Sequence, residues 1–110
     1  MSFDMNKLMQ QAAQMQQQME KMQQEAASEV AEASVGGGMV KVTANGAGEV
    51  LSIVISPEAI DPSDSEGLGD LVLAGVNEAL RSASAAVEAK AQALMGQMGL
   101  GDLGIPGLGA

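Results

Sequence analysis

The chain has 110 residues, and fourteen acidic side chains against five basic ones give it a formal net charge of −9. It contains neither cysteine nor histidine, which excludes disulfides, thiol nucleophiles and the commonest general base and metal ligand. Paired carboxylates or a Ser–Lys pair remain chemically available, but no motif supports either. We therefore predict a protein that is not an enzyme and uses no cofactor or metal.

A chain of this length forms one domain. Phe3 is its only aromatic residue, so the core must come from aliphatic side chains and methionine, which bury less area each than aromatic side chains. A thin core favours stabilisation by oligomerisation, so we predict a homodimer. No apolar run approaches the ~20 residues of a membrane span, and a signal-peptide pattern is missing. We expect a cytoplasmic protein with no membrane partner.

The first predicted helix covers residues 2–27, with Ser2 or Asp4 as its cap. Its apolar residues recur alternately three and four positions apart, the a/d heptad pattern of a helix that packs against another helix. We call these residues the apolar stripe: Met5, Leu8, Ala12, Met15, Met19, Met22 and Ala26. Most residues between them are glutamine. Packing within or between subunits is the favoured interpretation, and an adaptable surface for another protein is the alternative.

Residues 28–56 predict a three-stranded antiparallel sheet. Three glycines at 36–38 form one turn, and Asn45-Gly46 favours a tight hairpin with both residues at positive φ, unless residues 45–48 form a four-residue loop. The last strand is apolar on both faces, with Leu51, Ile53 and Ile55 on one and Val50 and Val54 on the other. Such a strand is buried on both faces. One helix cannot cover both, which also indicates a partner subunit.

The second predicted helix covers residues 62–98. Asp61 before Pro62 is typical of a helix cap followed by a first-turn proline. Ser63 and Glu66 have the spacing of a capping box. Glycines in its first turns, including Gly75, each cost about 1 kcal/mol relative to alanine and soften the helix. Residues 99–110 are rich in glycine and leucine and predict a flexible tail. The element order is α-β-β-β-α, an α+β fold with a three-stranded antiparallel sheet between two long helices.

Several stretches in this order resemble the YbaB/EbfC family of bacterial nucleoid-associated proteins, and the likeness covers nearly the whole chain. They are residues 7–12, 15–16, 19–23, 40–42, 45–46, 57–58, 61, 70–72, 76–79, 81 and 103–108. The resemblance implies a tweezer-like homodimer in which the two sheets form a common core. It also implies DNA binding with little sequence preference and a role in nucleoid organisation or gene expression.

The basic positions that match the family's DNA contacts are Lys7 and Lys21 on the first helix and Arg81 and Lys90 on the second. Each is also placed to act as an ion-pair partner on its own helix, as Lys21 is with a glutamate four residues on. For dimer or helix packing, the predicted residues are Met15, Met19, Met22, Leu51, Ile53 and Ile55.

Charge limits the expected affinity for DNA. A dimer would carry −18, twice the −9 of one chain, while DNA affinity comes mainly from neutralised phosphates and released counterions. We therefore expect weak, strongly salt-sensitive binding. The alternative function is a dimeric adaptor that holds another protein with its Met- and Gln-rich helices and has little DNA affinity.

Overall fold

A computed structural model describes residues 4–97 of the chain, and its element order confirms the predicted α-β-β-β-α fold. The elements are α1 (Met5–Ser28), β1 (Val30–Val35), β2 (Val40–Asn45), β3 (Val50–Ile55), a short 3-10 helix (Pro57–Ala59) and α2 (Ser65–Gln97). The molecule is elongated, 74 × 36 × 19 Å, because α1 projects from the sheet and buries none of its residues. The predicted tail, residues 99–110, lies outside the described residues.

The sheet has the order β1-β2-β3 and is antiparallel throughout. Helix α2 lies across β1 and β2 and contacts β3 much less. The centre of the core is β2, where Val40 and Val42 are fully buried. Opposite them α2 presents Gly75 and Ala79, both buried. A Cβ atom on Gly75 would lie 2.9 Å from Val42 Cγ2, so the glycine that was expected to soften α2 is what lets the helix approach the sheet.

The β2–β3 connection differs from the predicted tight turn, because neither Asn45 nor Gly46 has a positive φ. Instead the Asn45 side-chain oxygen accepts hydrogen bonds from the N–H groups of Ala47 and Glu49, both at 3.1 Å. Gly48 takes the positive φ, +87°. The connection is a four-residue loop, residues 46–49, one position later than the alternative prediction of 45–48. The side chain of Asn45 organises it, a common turn device.

Both helices begin at a capping aspartate. Asp4 accepts a hydrogen bond from the Lys7 N–H at 3.3 Å. Helix α2 starts at Ser65, three residues later than predicted, and Asp64 accepts the Gly67 N–H at 3.1 Å. The predicted cap, Asp61, instead accepts hydrogen bonds from the hydroxyl and N–H of Ser63, which lower the pKa of Asp61.

Candidate nucleic-acid interface

One side of α1 carries a row of three polar side chains at seven-residue spacing: Lys7, Gln14 and Lys21. Seven residues are almost two helical turns and ~10.5 Å of rise, so the row is nearly straight and its two lysines lie ~21 Å apart along the axis. All three residues are exposed. We call this surface the lysine row.

Glutamines flank the lysine row between Gln14 and Lys21. Gln14, Gln17, Gln18 and Lys21 line a shallow depression on the helix surface. Glutamine amides donate hydrogen bonds but carry no charge, and such donors commonly contact phosphate oxygens in protein–DNA complexes. The row therefore offers two charged and several neutral donors to an anionic backbone.

The predicted DNA contacts divide into two classes. Within residues 4–97, Lys7 and Lys21 take part in no ion pair, so the pairing of Lys21 with Glu25 considered above is absent. Arg81 forms a loose pair with Glu78 at 3.8 Å on the exposed surface of α2. Exposed pairs of this kind contribute little, and Arg81 remains accessible to an anion.

Lys90 is held at the junction of the two helices. Its Nζ donates to Glu29 Oε1 at 2.9 Å, across 61 positions of sequence. This hydrogen bond and the charge of Glu29 raise the pKa of Lys90, which keeps the ammonium protonated and paired. Sequence periodicity on α2 gave no sign of this contact, since Glu29 follows the end of α1.

A glycine fixes α1 at the same junction. The Gly46 N–H donates to the carbonyl oxygens of both Ala26 and Glu29, each at 2.9 Å. A Cβ atom on Gly46 would collide with the Val87 side chain and lie 2.8 Å from the Ala26 oxygen. Gly46 therefore lies where three elements meet: the β2–β3 hairpin, the end of α1 and the later part of α2. There is no room for a side chain at this position.

The charge around the lysine row is close to balanced. Helix α1 carries two lysines and two glutamates, Glu20 and Glu25, and the negatively charged Asp4 caps its start. Few positive charges are left to neutralise phosphates, so the attraction to DNA from this helix is modest and screened by salt.

The residues predicted for packing are largely uncovered in a single chain. Met15, Met19 and Met22 are 64%, 68% and 67% exposed. On β3, Leu51 and Ile53 are also exposed, whereas the half-buried Ile55 packs against the core. The apolar pattern is present, but one copy of the described chain does not bury it.

Neither α1 nor α2 has, over its described length, a stretch long and apolar enough to cross a membrane.

Comparison with known proteins gives consistent results. The chain is 46% identical over 108 residues to a nucleoid-associated protein from Pelotomaculum thermopropionicum, covering 98% of each. It is 47% identical over 105 residues to one from Acetivibrio thermocellus, covering 96% of this chain and 89% of that one. The crystal structure of an uncharacterized protein, HP0035, from Helicobacter pylori has the same fold, with a TM-score of 0.61 at 23% identity over 88% of this chain and 98% of that one. The model of the YbaB/EbfC DNA-binding family matches residues 1–98, and the chain therefore belongs to that family.

Proposed function

We propose that this protein is a nucleoid-associated DNA-binding protein that contacts the phosphate backbone with the lysine row of α1. The observation that carries the proposal is the pair of exposed lysines, Lys7 and Lys21, with no carboxylate partner in residues 4–97. Their spacing of ~21 Å along the helix suits contacts to separate phosphates. Arg81 on α2 is a further candidate contact, and Lys90 contributes chiefly by holding the helices together.

Contacts of this type carry little sequence information. Lysine and glutamine donors aimed at phosphates position a protein on DNA, while sequence is read from base edges or DNA shape. The proposed role is accordingly general: binding DNA in the nucleoid with little sequence preference, and so influencing nucleoid organisation or gene expression.

The proposal includes a homodimer formed along β3. This strand bonds to β2 on one edge only in the described chain, and α2 barely covers it. Its exposed apolar residues are Val50, Leu51, Ile53 and Val54. An apolar edge strand is an aggregation hazard unless another chain or element covers it. Joining two copies here would cover both strands, leave the α1 helices projecting and double the number of free lysines.

A DNA titration at two salt concentrations tests the binding. Two lysine rows in a dimer give four phosphate contacts and a slope of about −3.6 in log affinity against log salt, so affinity should fall about a hundredfold between roughly 50 and 200 mM salt. Fluorescence anisotropy of a labelled duplex measures this, with a second duplex of unrelated sequence as the control for specificity. If no binding appears even at the lowest salt, the proposal is wrong, and the adaptor function supported by the exposed methionines takes its place.

The dimer is tested by comparing Val54→Lys with Leu73→Lys. The two side chains are almost equally exposed in one chain, 61% and 60%, but Val54 is on β3 and Leu73 is on α2. In a monomer both substitutions would change stability within about ±0.5 kcal/mol. We expect light scattering to give twice the 11.1 kDa chain mass for the natural protein and Leu73→Lys, and a lower mass for Val54→Lys. A single-chain mass for the natural protein would contradict the dimer.

A further inference from the structure

An open groove of about 560 Å³ separates the last part of α1 from the last part of α2. Its sheet end lies where Ala26 and Val87 meet Gly46. At its far end are Met22, Leu94 and Gln97. The groove is therefore formed by two helices that run in opposite directions, and it opens away from the sheet.

The surface inside the groove is mainly apolar. Met22, Ala26, Val87, Ala91 and Leu94 supply most of it, and the ion pair between Lys90 and Glu29 lies beside them. Leu94 is 58% exposed although it belongs to this concave surface. Apolar side chains that line a concavity without being covered favour an apolar occupant.

The same apolar surface continues along α1 beyond the end of the described α2. Met22 is the stripe residue inside the groove, and Met19 and Met15 follow it on the same side of α1 at heptad spacing. Gln97, the last residue of the described α2, lines the groove together with Met22. The groove and the uncovered part of the stripe thus form one continuous apolar track.

The segment that follows Gln97 has a matching composition. Residues 98–110 carry five large apolar side chains and a single charge: Met98, Leu100, Leu103, Ile105 and Leu108, with Asp102. Thirteen residues span up to ~43 Å when extended. The stripe from Met22 to Leu8 is fourteen residues of helix, or ~21 Å, so the segment is long enough to follow the track without reversing direction.

We propose that residues 98–110 pack against their own chain at the mouth of this groove and cover Met22 and Met19. Composition alone predicts a flexible tail, but the track provides apolar surface at the point where the segment begins. Attachment to α2 holds the segment at an effective concentration of the order of mM. A second copy of α1 could cover the same methionines only by displacing this attached segment, whatever the protein concentration.

Docking there would leave the lysine row free. On a helical wheel the lysine row lies about 130° from the centre of the apolar stripe. The segment would therefore cover one side of α1 while Lys7 and Lys21 stay in solvent on another. This inference stands on the groove and the segment, and does not depend on DNA binding.

The chain has no cysteine, so Gly104→Cys, near the middle of the segment, allows one nitroxide spin label to be placed in the full-length protein. Methionine methyl NMR then reports the distance from the label, with Met22 and Met19 as the test signals and Met5 and Met9 as controls. We expect strong paramagnetic broadening at Met22 and Met19 and little at Met5. The matched variant carries the same label with Leu100, Leu103 and Ile105 all changed to serine, and it should lose most of the broadening.

Two results would overturn the proposal. One is equal broadening with and without the three serine substitutions, because a tethered segment with no docking site would behave that way. The other is broadening that persists when an isotopically labelled chain without the nitroxide is mixed with an unlabelled chain that carries it. That outcome would assign the groove to a second copy.

Discussion

Changing Lys7 and Lys21 together to glutamate is expected to abolish the mobility shift of duplex DNA at low salt. The two lysines are the cations of α1, and neither is held by a carboxylate within residues 4–97. Each substitution removes a phosphate contact and places a negative charge beside the backbone. Either single change should weaken binding and reduce the salt slope of a dimer by about 2, one unit for each lysine lost.

The matched control is Lys41→Glu. Lys41 is an exposed lysine on β2, on the face of the sheet opposite α2, because its neighbours Val40 and Val42 are buried beneath that helix. The change in net charge equals that of Lys21→Glu. We expect binding to survive Lys41→Glu far better than Lys21→Glu. Lys41 pairs with Val54 across the sheet, so the mass of Lys41→Glu is measured by light scattering as well. Equal losses of binding at an unchanged dimer mass would mean that net charge controls binding and the lysine row does not.

Changing Gly75 to valine is expected to lower the free energy of unfolding by about 1–3 kcal/mol, the range for overpacking a filled core. A Cβ atom at this position already approaches Val42 Cγ2 to 2.9 Å and Val35 Cγ2 to 3.4 Å. Valine adds two methyl groups, so α2 must move away from the sheet. Urea unfolding followed by far-UV circular dichroism measures the change, at a fixed protein concentration in case dimerisation contributes.

Gly69→Val provides the comparison on the same helix. Gly69 is exposed, and a Cβ there would meet no atom within 4 Å. Valine should therefore be neutral or slightly stabilising, because glycine is the poorer helix former by a few tenths of a kcal/mol. If the two substitutions had the same effect, close packing of α2 on β2 would be contradicted.

The fold was largely predictable because its signals are local. Heptad spacing defined α1, β-branched residues between glycines defined the strands, and helical periodicity defined α2. The family resemblance is confirmed by the match over residues 1–98, and membership of a nucleoid-associated family agrees with a non-enzymatic protein. The start of α2 was misplaced because Asp61, Ser63 and Asp64 all resemble caps. Which of them acts is decided by the path of the connector, not by residue type.

The candidate site was predictable only in part. Lys7 and Lys21 are visible as a pair because two residues fourteen apart share one side of a helix. The Lys90–Glu29 ion pair was missed because it joins residues distant in sequence. Gly75 was misjudged because helix propensity takes no account of the sheet beneath it. Likewise, periodicity shows that Met15 and Met19 form an apolar surface, but it does not show which chain covers them.

In the described chain α1 is held at the junction around Gly46, and the rest of this helix projects beyond the junction. From Ser28 to Lys7 is 21 residues of helix, or ~32 Å from the junction. A tilt of about 10° at the junction would displace Lys7 by about 5–6 Å, more than the ~3.4 Å rise of one base pair along DNA. The hydrogen bonds from Gly46 to Ala26 and Glu29, with Lys90 beside them, therefore set where on a DNA surface the far end of the helix arrives.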